Sequence, residues 1–106
     1  MNSVKISVIS QKQFRETFEK LASQPGVKGV IITNTEGLPI SSNLGIEATE
    51  AISAHITSLV GKARTVSEGL GYSKDALKFM LLDLGEDEVL VTPSEEYMII
   101  VLRSKQ

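Results

Sequence analysis

The chain holds 106 residues, 42% of them hydrophobic and 23% charged, with eleven basic against thirteen acidic side chains and a formal net charge of -2. That length suits a single domain with one core, the balance excludes a mainly disordered chain, and the near-neutral charge supplies no field to attract nucleic acid. Cysteine is absent, which removes disulfides, thiolate metal sites and Cys nucleophiles and suits a reducing, cytoplasmic setting.

The opening residues MNSVKISVIS carry one lysine and no continuous apolar block, so they do not read as a secretory signal. Val4, Ile6 and Val8 alternate with Lys5 and Ser7, a two-residue period that fits either a short added strand or an arm that orders on a partner. Residues 1–10 therefore stand apart from a domain spanning 11–106. Ser10 and Gln13 have the spacing of a capping box, and Phe14, Phe18 and Leu21 follow at i, i+4 and i+7, ahead of Pro25-Gly26. This predicts a helix over 11–23. Val27 to Asn34 is β-branched and apolar on both alternating faces, apart from Lys28 and Gly29, the pattern of a central strand. Thr35-Glu36-Gly37 then leads into a short strand, Leu38 to Ser42. The glycine can take the positive φ of a tight reversal, and Glu36 reads as the solvated tip of a hairpin rather than a catalytic carboxylate.

Residues 47–70 carry the longest pattern. Ile52, Ile56, Leu59, Ala63, Val66 and Leu70 form one apolar stripe suited to packing on a sheet. A second row, Ala51, Ala54, Ser58, Gly61 and Thr65, has the same spacing on another side of the helix, and every member is small. Small residues let two helix backbones approach closely, so this row reads as a homodimer seam. Gly69 and Gly71 end the helix. ALKFMLLDL (76–84), Glu88 to Thr92 and Tyr97 to Arg103 are then three strands in hairpin series, expected to be antiparallel. In ALKFMLLDL, Leu77, Phe79 and Leu81 alternate with Met80, Leu82 and Leu84. A strand apolar on both faces is unsafe at an open edge, and pairing with the same strand of a second subunit would close it.

No segment approaches the roughly 20 apolar residues of a membrane helix. The single histidine, His55, lies within the long helix and has Leu59 at i+4, so neither a catalytic triad nor a helical metal pair forms around it. Gly61-Lys62 fails as a phosphate loop, because Ala63 follows and Ile56 stands where the earlier glycine belongs. Glu86, Asp87, Glu88, Glu95 and Glu96 lack the spaced pattern of a calcium loop and read as solvated tips. No nucleophile, base and oxyanion donor assemble. The residues point to a binding module, with no cofactor and no metal.

Three stretches resemble the roadblock-type dynein light chains and their relatives among small-GTPase regulators: QPGVKGVIITNTEGLPISS (24–42), KAR (62–64) and EVLVTPSEEYMIIVL (88–102). The resemblance implies an α+β fold of order αββαβββ: a five-stranded antiparallel sheet with the long helix on one face and the first helix on the other. It also implies a dimer that pairs the long helices and joins the third strands. The first hairpin and last two strands look like dynein light chains. LKFMLLDL is similar to scaffold subunits of the Rag-regulating complex and prokaryotic relatives, and Leu82-Asp83-Leu84-Gly85-Glu86 stands where the light chains carry a basic stretch. The expected function is a non-enzymatic homodimeric platform that binds and regulates or localises a small Ras-like GTPase, with a motor light chain as the alternative. Its partner surface is expected on the outer side of the paired helices, at His55, Thr57, Lys62 and Arg64, with Arg64 the one arginine suited to act on a partner GTPase.

Overall fold

The computed structural model describes residues 2–106, with side chains described from Lys12 onward. Helix α1 (Asn2–Ala22) is followed by strands β1 (Val27–Asn34) and β2 (Pro39–Ser42), helix α2 (Ile46–Gly69), a 3-10 turn at Lys74–Ala76, and strands β3 (Met80–Asp83), β4 (Asp87–Pro93) and β5 (Tyr97–Ser104). The strands form one antiparallel sheet in the order β2-β1-β5-β4-β3. β1 is central, as its double-faced apolar pattern requires. Val30, Ile31, Ile32 and Thr33 are all buried to within 1%.

Strand register separates the two faces. Ile31 pairs with Ile100 and Ile100 with Val91, and this row joins Ile56 and Val60 of α2 in the core, with Met80, Leu82 and Val89 packed around it. The alternate residues face the other helix. There the ring of Phe14 on α1 meets Tyr97 edge-on, with centroids 5.0 Å apart. The expected α+β sandwich, with one helix on each face of a five-stranded sheet, is the observed fold.

The β1–β2 reversal is built by one side chain. Asn34 Oδ1 accepts from the backbone N–H of Glu36 at 2.9 Å and of Leu38 at 3.0 Å, while Gly37 N–H donates to Asn34 O at 3.1 Å. Gly37 sits at φ +89°, a conformation that is strained for any residue with a Cβ. Glu36 is exposed at the tip, as expected.

Three local expectations change. Helix α1 has the bounds Asn2–Ala22 against the expected 11–23; side chains up to residue 11, and with them the Ser10–Gln13 cap and the arm-or-strand reading of residues 1–10, lie outside the described residues. The strand expected over 76–84 is short. Ala76 N–H bonds Ser73 O in the 3-10 turn, Leu77 packs against the core cluster, and the ladder to β4 begins only at Met80↔Val91. Leu77 therefore parts company with Phe79 and Leu81, which are exposed. Finally, the buried side of α2 is Thr49, Ser53, Ile56 and Val60, not the all-apolar stripe. Thr49 fits there because its hydroxyl lies 2.7 Å from Ser42 Oγ, and Ser53 because it is small enough to sit 1% exposed.

Candidate functional site

With Thr49, Ser53, Ile56 and Val60 turned to the sheet, the rest of α2 divides into separate surfaces. At about 100° per residue, Leu59, Val66 and Leu70 lie roughly 90° around from the buried side. They are exposed by 40%, 61% and 72%. The small row Ala51, Ala54, Ser58, Gly61 and Thr65 lies roughly 150° around and points away from the sheet. All five are exposed, and a Cβ built at Gly61 would meet nothing within 4 Å.

The four residues expected to form one partner surface do not share a face. His55 and Lys62 are exposed beside the small row. Thr57 and Arg64 lie about 160° away on the opposite flank, half-buried. Thr57 donates its hydroxyl to Ser53 O at 2.6 Å and stands against Gly37 of the β1–β2 turn.

Thr57 and Arg64 open onto a cleft of about 610 Å³ between α2, the 3-10 turn and the β4–β5 turn. Val60, Leu77, Pro93 and Met98 form its apolar lining, and Lys74, Lys78, Asp75 and Glu95 are its other charged groups. The Nε of Arg64 is buried and has no hydrogen-bond partner among the described residues. Sequence reasoning singled out Arg64 but missed the two lysines, because Lys74 follows the helix in a polar link that no periodicity marks and Lys78 reads as a member of the strand expected over 76–84.

β3 is the last strand of the sheet and pairs only with β4. Around it Phe79, Leu81 and Leu84 are exposed by 59%, 46% and 61%. Leu77, assigned with Phe79 and Leu81 to a subunit contact, is instead half-buried against the core cluster of its own chain and lines the cleft. The turn acids are partly committed to ion pairs across strands. Asp87 holds Lys28 at 2.8 Å and Glu88 holds Arg103 at 2.6 Å. Asp83 holds Lys105 at 2.8 Å; this hydrogen bond, helped by the Gly85 N–H, keeps the Asp83 carboxyl below its ordinary value. Among the described residues no helix is long and apolar enough to cross a membrane.

Solved structures share this architecture at low identity. A Roadblock/LC7 domain from Streptomyces avermitilis superposes with a TM-score of 0.72 at 15% identity, covering 81% of this chain and 72% of that one. MglB of Myxococcus xanthus gives 0.70 at 15% identity, with 81% and 71% covered. The gliding protein MglB of Thermus thermophilus gives 0.71 at 9% identity, with 85% and 70% covered. These likenesses establish the fold. The Roadblock/LC7 domain family model matches residues 13–104, nearly the whole chain, from the Phe14 turn of α1 to the end of β5, and on that match the chain belongs to the Roadblock/LC7 domain family.

Proposed function

We propose that the protein is a homodimeric, non-enzymatic platform that binds a small Ras-like GTPase, or a complex containing one, and regulates or localises it. The observation that carries the self-association is the exposed apolar arc of Leu59, Val66 and Leu70 on α2, together with Phe79, Leu81 and Leu84 around an unpaired sheet edge. Large aliphatic side chains at such exposure gain about 25 cal/mol for each Å² removed from water. An open edge between apolar side chains is a template for pairing. A second copy related by a two-fold axis satisfies both requirements at once, α2 against α2 and β3 against β3. An MglB with a tetrameric arrangement is among the proteins of like fold, at 10% identity, which agrees with a fold that self-associates.

This places the subunit contact on the Leu59–Val66–Leu70 flank of α2 and leaves the small row as the outer face of the dimer. Ala51, Ala54, Ser58, Gly61 and Thr65, with His55 and Lys62 beside them, then form a low-relief, weakly polar surface on which a partner's helix or switch segment can lie closely. The GTPase reading rests on the family's regulators of small GTPases. It is tested by immobilising the purified dimer and passing over it a lysate of its own cell, preloaded with GDP or a GTP analogue. Recovery of a nucleotide-dependent Ras-like GTPase supports the reading. Recovery of motor intermediate chains and no GTPase would replace it with a motor light-chain function.

A further inference from the structure

The cleft beside Arg64 lies on the flank of α2 opposite the proposed subunit contact, and it has the chemistry of a ligand site. A guanidinium N–H that is buried without an acceptor is costly to leave unsatisfied, and Arg64 Nε is in that state among the described residues. The groups that could neutralise it do not. Asp75 and Glu95 line the same cleft, yet the ion pairs of the described residues are Lys28–Asp87, Arg103–Glu88 and Lys105–Asp83. Lys78 spends its ammonium on the carbonyl of Asp75, at 3.2 Å. Three cations and two unpaired acids thus share one opening, with a floor of Val60, Leu77, Pro93 and Met98.

We infer that this cleft binds an acidic peptide segment of a partner protein, a single Glu or Asp carboxylate reaching Arg64 while its apolar neighbours cover Leu77 and Pro93, the half-buried part of the apolar lining. The charge pattern selects this ligand. A carboxylate can accept two parallel bonds from a guanidinium fork, whereas the second and third charges of a polyphosphate would face Asp75 and Glu95. Leu77 and Pro93, half-buried at this opening, favour a segment with hydrophobic residues beside the acid over a free small anion, which would leave them uncovered. The site stands independently of the GTPase reading, since it requires only that the cleft be open.

The test uses the full chain and an acetylated, amidated peptide of sequence Gly-Phe-Glu-Leu-Gly, titrated while the Nε–H resonance of Arg64 is followed by NMR. Expected are saturable movement of that resonance, binding at least about tenfold weaker for the glutamine counterpart, as loss of a charge-assisted bond implies, and a similar loss in Arg64→Lys, which keeps the charge but not the fork. Melting temperature and the amide spectrum of Arg64→Lys report whether the fold is intact. A second variant, Leu77→Ala, should weaken the peptide without moving the response to acetate. Equal binding of the glutamine peptide, equal movement by acetate, citrate or phosphate at matched concentration, or no movement of the Arg64 resonance would each overturn the inference.

Discussion

Replacing Gly37 by alanine perturbs two things that can be measured apart. The first is backbone conformation. At φ +89° a residue with a Cβ is strained by about 1–2 kcal/mol. The second is space, because a Cβ at Gly37 would overlap Thr57 Oγ1 and lie 3.0 Å from both Thr57 Cβ and Cγ2. Thr57 is on a buttressed helix and donates to Ser53 O, so moving it sacrifices that bond, about 0.5–1.5 kcal/mol, with a further overpacking cost. Gly37→Ala should therefore destabilise by about 2–4 kcal/mol in total. In a Thr57→Ala background the overlap is gone but the φ remains. The cost of Gly37→Ala should then fall to about 1–2 kcal/mol, leaving a coupling of about 1–2 kcal/mol between the two sites. Thr57→Ala alone should change stability by less than about 1 kcal/mol, since the lost hydrogen bond is offset by alanine's better helix propensity. Urea unfolding of the four proteins, at one fixed protein concentration so that any self-association contributes equally, measures the cycle. Coupling indistinguishable from zero would show that the hairpin does not rest on Thr57, and equal stability of Gly37→Ala and the parent would refute the turn geometry itself.

Val66→Glu should dissociate the proposed dimer, while Gly61→Leu should leave its mass unchanged and raise stability by about 0.8 kcal/mol through helix propensity. The reverse ordering in light scattering would put the contact on the small row. Ser53→Ala removes a buried hydroxyl that lacks a partner among the described residues and should be neutral or stabilising by up to about 1 kcal/mol; a loss in thermal unfolding would reveal a bond made by that hydroxyl. Because the folded Asp83 carboxyl lies below its ordinary value of 3.8, its ion pair with Lys105 favours the fold above that value and is lost as pH falls through the folded value. Lys105→Met should move the Asp83 titration upward by carboxyl NMR, and no movement would show that Lys105 is not the cause. Glu36→Ala should change stability by less than about 0.5 kcal/mol, as for other exposed turn acids.

What could be read from the chain was whatever one residue type decides alone. β1 was legible because Val30, Ile31 and Ile32 admit no other environment than a strand covered on both sides, and the β1–β2 turn because only glycine tolerates its φ. The bounds of β1 follow the pattern without shift. The strand before Asp83 was overextended, since Leu77 satisfies the alternation but takes its neighbours from the core cluster, and a two-residue period cannot tell which strand members have a ladder partner. The cleft was hidden for a related reason. Its cations come from α2, from a polar link some ten residues later and, for Lys78, from a segment whose alternation reads as strand, and only the tertiary fold brings them to one opening.

The stripe on α2 is the instructive error. Ile52, Ile56, Leu59, Ala63, Val66 and Leu70 do form one apolar arc, but an arc records only that a helix is covered on that side, not by what. Two polar residues set the helix's rotation on its own sheet: Thr49, held by Ser42, and Ser53, whose small side chain permits close approach. A hydropathy pattern scores both as outward-facing. Once they turn inward, Ile56 remains in the core and Ile52 packs against it, while Leu59, Val66 and Leu70 are carried out to the flank. Aliphatic residues at sheet-packing spacing that a chain does not itself cover are most simply explained as packing positions for a second chain. The misreading of which face met the sheet and the case for a paired helix thus have one cause, and a variant that restores either test of rotation, Ser53→Leu for the buried side or Val66→Glu for the flank, should disturb folding in the first and association in the second.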